Sequence, residues 1–324
     1  MSKIDKTDRR LLYELDRNSR IPYSKLGDAV GISQEAARYR VGQLLKEGVI
    51  NKFCTVVDSA KLGFAYFKVF LKLHNVNEKN IQEIINYLGA KPSVCWLARV
   101  DGSYDIGYAV KAANIHDILH LSNLVDDLAG VYDCFIKKRV FCVNISGEYL
   151  DRDYLINRKR TAPSKGFYSV YSDAVSTDDL NLRILRALAE NSRWTAVEIA
   201  EQLPVTSDAV LQRIKRLERQ KIITRYNLVL NHELLNQIHY KVFIYLDRVN
   251  PAKQQEFMNY CKSKPNIVFI LKTLGEWDCE LDIEVENLTQ FREVMMDLTS
   301  RYGEIIDAYE PQVVNKIHKY QLYS

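Results

Sequence analysis

The sequence predicts an α+β chain of two tandem units, each a helix-turn-helix domain followed by a ferredoxin-like βαββαβ sandwich. Three observations predict it. First, the chain repeats itself: Asn18-Ser19-Arg20 returns 173 residues later as Asn191-Ser192-Arg193. The same offset carries Leu12 to Leu185, Arg40 to Arg213, Lys91-Pro92 to Lys264-Pro265, Gly102 to Gly275 and Asp105 to Asp278, and the register never slips. Second, each repeat opens with apolar residues at three- and four-residue steps, the period of a helix. Third, each continues with alternating, aromatic- and β-branched-rich stretches that read as strands. The domains expected are 1–53 and 178–226 (helix-turn-helix), 54–144 and 227–324 (sandwich), with a linker over 145–177.

The elements follow in order. Leu11, Leu12 and Leu15, then Leu26, Ala29 and Val30, then Ala37, Val41 and Leu44 mark three helices. Pro22 and Gly31 separate them, and Ser33 is a probable N-cap of the third, as Thr206 is in the second unit. Lys52 to Val57 and Phe64 to Leu73 read as strands and Glu78 to Leu88 as a helix. Val94 to Val100 and Asp105 to Val110 form a hairpin with Gly102 in its turn. Ile115 to Leu128 is helical, closed by Gly130, and Val131 to Asn144 is the last strand. The stretch 145–177 has no counterpart in the second unit. It holds Ser, Gly and Pro residues and the basic run Arg158-Lys159-Arg160, expected to be a solvated face.

Composition narrows the classes. Of 324 residues 47% are hydrophobic and 27% charged, enough apolar matter for packed cores and against wholesale disorder. Net charge is +4, which permits a nucleic-acid partner without demanding one. No apolar run is long enough to span a membrane, and the opening Met1-Ser2-Lys3-Ile4-Asp5 has no apolar core behind its charges, so neither membrane span nor signal peptide is expected. A cytoplasmic location follows. Cys54, Cys95, Cys134, Cys142, Cys261 and Cys279 show no metal-ligand spacing and read as buried strand thiols, with no metal or cofactor expected.

The third helix of each unit is the candidate reader of double-stranded DNA. At 100° per residue Ala37, Val41 and Leu44 turn inward, leaving Gln34, Glu35, Tyr39, Gln43 and Lys46 outward with Arg38 and Arg40 on the flanks. In the second unit Gln212, Lys215, Arg216 and Arg219 point outward with Arg213 on the flank. Such long donors suit base edges and such cations suit phosphates.

These residues resemble a known family. Asp5-x-x-Asp8-x-x-x-Leu12-x-x-Leu15-x-x-Asn18-Ser19-Arg20, then Val30-Gly31-Ile32-Ser33 and Arg40-Val41-x-x-Leu44-x-x-x-Gly48-Val49-Ile50, closely resemble the Lrp/AsnC feast/famine transcriptional regulators. So does the turn Gly102-Ser103-Tyr104-Asp105, repeated as Gly275-Glu276-Trp277-Asp278. The resemblance implies a sequence-specific DNA-binding regulator with no enzymatic activity. It also implies a small effector, such as an amino acid, near Gly102, Tyr104, Asp105, Gly275, Trp277 and Asp278. Family members usually carry one unit and dimerise. The strands at Phe67–Leu71 and Val242–Leu246 are apolar on both faces, so the two sandwiches could pair with each other or each with a second chain. A homo-oligomer, at least a dimer, is expected because the family reads operators with paired modules and the two modules here differ, so two identical chains would restore a true two-fold on DNA. The chain departs from the family pattern at Gly42-Gln43, where basic residues are common, and at Lys221, which replaces the equivalent of Gly48. Two alternatives are a DNA-silent oligomerisation partner and an enzyme like the siroheme decarboxylases, which share this architecture. Decarboxylase activity is tied to a strand with His and Arg; here Val94 to Arg99 has the Arg and no His, and His74, His116, His120, His232, His239 and His318 form no catalytic pattern.

Overall fold

A computed structural model describes residues 4–114, 116–117, 127, 135–160, 166–170, 172–247 and 250–323. The first helical domain contains α1 (Lys6–Arg17), α2 (Tyr23–Val30) and α3 (Gln34–Lys46). The Asp5 carboxylate caps α1 by accepting from Asp8 N–H at 2.8 Å, and Asp8 reciprocates on Asp5 N–H at 3.1 Å. Ser33 Oγ caps α3 by accepting from Ala36 N–H at 3.1 Å. Between α2 and α3 the chain turns at Gly31, φ +83°, over Gly27, whose missing Cβ would lie 2.6 Å from the Ile32 carbonyl oxygen. Leu11, Leu12, Leu15, Leu26, Ala37, Val41 and Leu44 close one core.

The second helical domain repeats this with α5 (Asp179–Glu190), α6 (Ala196–Ala200) and α7 (Ser207–Arg219), where α4 is Glu78–Ala90 of the first sandwich. Its middle helix is shorter for a readable reason. The offset places Ala200 at the tight-turn glycine and Pro204 at the left-handed one. Proline cannot take positive φ and disfavours helix in the residue before it, so the helix ends early and the turn widens. At the end of α7, Lys221 takes the left-handed conformation that Gly48 takes after α3, φ +54° against +75°.

The sandwiches have the expected strand order. The first is β2 (Ala65–His74), α4, β3 (Val94–Asp101), β4 (Ile106–Ala112) and β5 (Phe135–Tyr149); the helix expected over 115–128 lies largely outside the described residues. The second is β8 (Ile238–Leu246), α8 (Pro251–Ser263), β9 (Ile267–Gly275), β10 (Cys279–Val285), α9 (Leu288–Tyr302) and β11 (Ile306–Tyr320). Four-stranded sheets β5-β2-β4-β3 and β11-β8-β10-β9 then join edge to edge. β3 pairs with β11 and β9 with β5, closing an eight-stranded barrel.

The barrel encloses a shared aromatic core that includes Tyr66, Phe70, Trp96, Tyr104, Phe243, Phe269 and Trp277. Outside it, α4 covers β2–β4, and α8 and α9 cover β8–β10. The strands apolar on both faces thus find their second face within the chain. Of the two pairings open to those faces, with each other or with a second chain, the structure has the first.

The units also pair at the helical end. β1 (Ile50–Val57) and β7 (Ile223–Leu230) form an antiparallel ribbon in which Phe53 faces Leu228 and Thr55 faces Tyr226. These two pairs exchange under the 173-residue offset, so the ribbon has a local two-fold axis. Ser19 Oγ and Ser192 Oγ meet on it at 2.6 Å.

The linker expected over 145–177 is corrected. β5 runs on to Tyr149, and β6 (Gly166–Ser169) adds to its edge. Between them Arg158 and Lys159 are exposed, as expected of the basic run, but Arg160 is half-buried and engaged, as is Arg152. Arg160 donates to the carbonyls of Lys262, Lys264 and Ile267 at 2.9–3.0 Å and pairs with Asp153 at 2.8 Å. Composition alone does not show this, because the three carbonyls lie over 100 residues away in the chain. Cys54, Cys95, Cys142 and Cys279 are buried in strands, but Cys261 is buried in α8, and Cys134 lies outside the described residues. Burial pushes the Cys54 and Cys95 thiols up to about 12.

Candidate nucleic-acid interface

The two capped helices α3 and α7 turn their apolar faces into the cores and the rest outward. On α3, Gln34, Glu35, Arg38, Tyr39 and Lys46 are exposed, Tyr39 at 68%, and Gln43 is half-buried. On α7, Gln212, Lys215, Arg216 and Arg219 are exposed. Arg38 packs over the Tyr23 ring at 5.3 Å, its cation still at the surface.

Two candidates are otherwise engaged. Arg40 pairs with Asp5 and Asp8, both at 2.8 Å, locking α3 to the capped start of α1. Arg213 does the same in the second unit, reaching Asp178 at 2.7 Å and Asn181 at 2.9 Å. The hydrogen bond from Arg213 holds the Asp178 carboxyl below its ordinary value. Both arginines were expected on DNA. Their register, one flank position per helix, aims them at the neighbouring helix instead.

The Gly-x-aromatic-Asp turns also find their partners within the chain. Gly102 and Gly275 have φ of +149° and +152°. A Cβ on Gly102 would lie 2.5 Å from Gln312 Oε1 of β11, and one on Gly275 2.5 Å from the Phe141 carbonyl oxygen of β5. The close approach is therefore made by the other unit's strand. Tyr104 N–H donates to Gln312 Oε1 at 3.2 Å. Tyr104 and Trp277 are buried in the barrel, Trp277 stacked on Phe243 at 3.8 Å. Asp105 accepts from Leu73 N–H at 2.7 Å and pairs with Lys72 at 2.9 Å. Asp278 accepts from Leu246 N–H at 2.7 Å. Each carboxylate fastens its turn to the end of the strand beside it, the use that short polar side chains serve in turns.

Two groups were not assigned from sequence. One is a reciprocal clasp at the ribbon. Arg20 donates to the Ser192 carbonyl and to that of Trp194 at 2.8 Å; Arg193 donates to those of Ser19 at 2.5 Å and Ile21 at 3.2 Å. The repeated Asn-Ser-Arg was visible as a repeat marker, and that it recurs is the one signal that could have found it. The other is a buried polar chain. Lys68 pairs with Glu280, Lys241 bridges Glu280 at 3.3 Å and Asp282 at 2.5 Å, and His239 lies 3.2 Å from Asp282. The His239 ring is 4.7 Å from that of His232, which contacts Glu284 at 2.8 Å. Histidines 7 residues apart were read as unrelated; one leads into β8 and one lies on it. Arg99, the arginine weighed for enzymatic chemistry, pairs with Glu78 at the surface.

Comparison with known proteins gives three findings. The family model for the AsnC-type helix-turn-helix domain matches residues 4–45 and again 178–218. The HTH-type transcriptional regulator Rv2324 of Mycobacterium tuberculosis is 31% identical over 136 residues, 41% of this chain and 87% of that protein. An uncharacterized HTH-type transcriptional regulator of Pyrococcus furiosus is 27% identical over 115 residues, 36% of this chain and 76% of its own. Among solved structures, the siroheme decarboxylase NirDL covers 99% of this chain and 95% of its own at a TM-score of 0.58 and 14% identity, a likeness of fold. No described helix is long and apolar enough to cross a membrane.

Proposed function

We propose that this chain, which belongs to the Lrp/AsnC family of DNA-binding transcriptional regulators, completes within one polypeptide the two-fold reader that such regulators build from two modules. α3 and α7 dock in successive major grooves, with Arg38, Tyr39 and Lys46 on one half-site and Gln212, Lys215, Arg216 and Arg219 on the other. The observation that carries this is the local two-fold at the ribbon, which relates the two capped helices as a symmetric dimer relates its own. Arg40 and Arg213 position the helices. The barrel joins the units and hosts any effector.

The α7 face is the more basic, so Lys215→Ala with Arg216→Ala should weaken duplex binding more than any pair of changes on α3. If both are phosphate contacts, the dependence of affinity on salt should flatten by about one unit per lost contact. Anisotropy titrations at several salt concentrations measure it, and unchanged affinity throughout would sink the assignment. The enzyme reading has the whole-chain likeness to NirDL in its favour, a likeness of fold. It predicts a tetrapyrrole absorption band in the purified chain and no duplex binding.

A further inference from the structure

The barrel interior is not filled. On the Lys68 side of the polar chain lies a cavity of about 60 Å³. A single water needs about 10–15 Å³ of such space, so the cavity takes about four to six non-hydrogen atoms. Trp96 and Phe269 give it flat aromatic walls; Lys68, Lys241, Asn144, Tyr149, Tyr168, Tyr320 and the Asp282 carboxylate give it polar groups.

The polar inventory is lopsided. Each ammonium carries three donors and no acceptor. Among the described residues Lys68 bonds only Glu280, and Lys241 bonds Glu280 and Asp282, which leaves three N–H groups between them. Tyr168 Oη accepts from Asn144 Nδ2 at 3.2 Å and keeps its own proton to donate. Against these donors stand the Asp282 carboxylate, already held by Lys241, and Asn144 Oδ1, an acceptor with no partner among the described residues on a residue 3% exposed. Buried polar groups left unpaired are costly, so the set favours a guest that supplies several acceptors and one donor. Burial pulls the Lys68 ammonium below its ordinary value despite Glu280 beside it.

We propose that this chamber binds a small 2-hydroxycarboxylate, its carboxylate on the Lys68 and Lys241 ammonium groups and its hydroxyl donating to Asn144 Oδ1. Charge selects this class. Two lysines face Glu280 and Asp282, so one added negative charge is tolerated where the two or more of a phosphate are not. An amino acid would set a third cation beside the lysines; a hydroxyl supplies the same donor without charge. Glycolate and lactate have the right size.

The chamber also adjoins the reader. A second cavity of about 50 Å³ shares the Trp96, Tyr149, Asp282 and Tyr320 walls and reaches Asn227–Leu230 of the ribbon strand β7. That filling the chamber changes DNA affinity rests on the reading proposed above; that it binds the acid does not.

Calorimetry of the full chain with glycolate, lactate, acetate, glycine and phosphate tests the site. One glycolate or lactate per chain should bind, acetate at least tenfold more weakly, glycine and phosphate not measurably. Lys68→Met should abolish binding. Should that variant misfold, Asn144→Leu decides: glycolate should fall to the affinity of acetate, with acetate unchanged. Absence of heat with every acid, equal binding of glycolate and phosphate, or unaltered glycolate preference in Asn144→Leu would each overturn the proposal. If glycolate binds and duplex affinity does not change, the coupling fails and the site stands. If no duplex is bound at all, the functional reading fails and the site stands.

Discussion

Replacing Arg152 with leucine should cost about 3–5 kcal/mol of stability, the usual penalty for leaving buried charges without their partner. Arg152 donates two hydrogen bonds of 2.9 Å to the Glu284 carboxylate, pairs with Asp16 of α1, and donates its backbone N–H to Asp16 at 3.0 Å. Both carboxylates are fully buried. The one residue therefore ties the first helical domain to the second sandwich. Chemical denaturation of Arg152→Leu measures the loss, and Arg152→Leu with Glu284→Met should lose less than the single change.

The pH dependence has a definite sign. Burial alone would raise the Glu284 carboxyl, but Arg152 and His232 outweigh it and hold the group well below the usual carboxylate range. A depressed carboxyl contributes stability that is whole above its unfolded value, about 4.3, and is lost as pH falls through the folded value. Without Arg152 burial dominates, the folded carboxyl takes up its proton sooner, and the variant recovers on acidification. The gap between wild type and variant should narrow from neutral pH toward pH 4; a constant gap would show that Glu284 is not the group left unpaired.

The second large effect is expected at the clasp. Arg20→Ala or Arg193→Ala each removes charged hydrogen bonds to two carbonyls of the opposite unit, together worth about 1.5–3 kcal/mol per residue. The Arg193 guanidinium also lies 4.3 Å from the Tyr23 ring centre, adding to the loss there. With the ribbon loosened, the spacing of α3 and α7 is no longer held. Affinity for a duplex with two half-sites should drop at least tenfold, while affinity for one half-site stays. An equal drop on both duplexes would mean that the arginines touch DNA themselves.

How much of this could be read in advance depended on the range of the interaction. Caps, helical faces and the βαββαβ order were legible because each depends on residues within a few positions. Ser33, Thr206, Ala37 and Val210 lie where the periodicity places them. The offset of 173 also announced a two-fold relation. What it could not announce was which surfaces use that relation. Phe67 to Leu71 was legible as a strand buried on both faces, but alternation names no partner, and the partner is the same chain. Arg160 reads as a loop cation because the carbonyls it holds, that of Lys262 among them, are 102 residues or more away, and nothing in the sequence singles out Arg152, 132 residues from Glu284. Gly102-Ser103-Tyr104-Asp105 suits a turn fastened to a strand end as well as it suits a ligand. Only the positions of β11 and Leu73 separate the two.

The most direct test of a single-chain, two-headed reader is selection of binding sites from a pool of randomised duplexes by the purified full chain. Two half-sites in inverted orientation, centred one helical turn of about 10 base pairs or a multiple apart, should be enriched. The half-sites should differ, because Tyr39 and Gly42-Gln43 of one helix stand where Gln212 and Lys215-Arg216 stand in the other. Perfect palindromes would mean that the same module is supplied twice by two chains, and no enrichment at all would mean that the helices do not read sequence; either result contradicts the account.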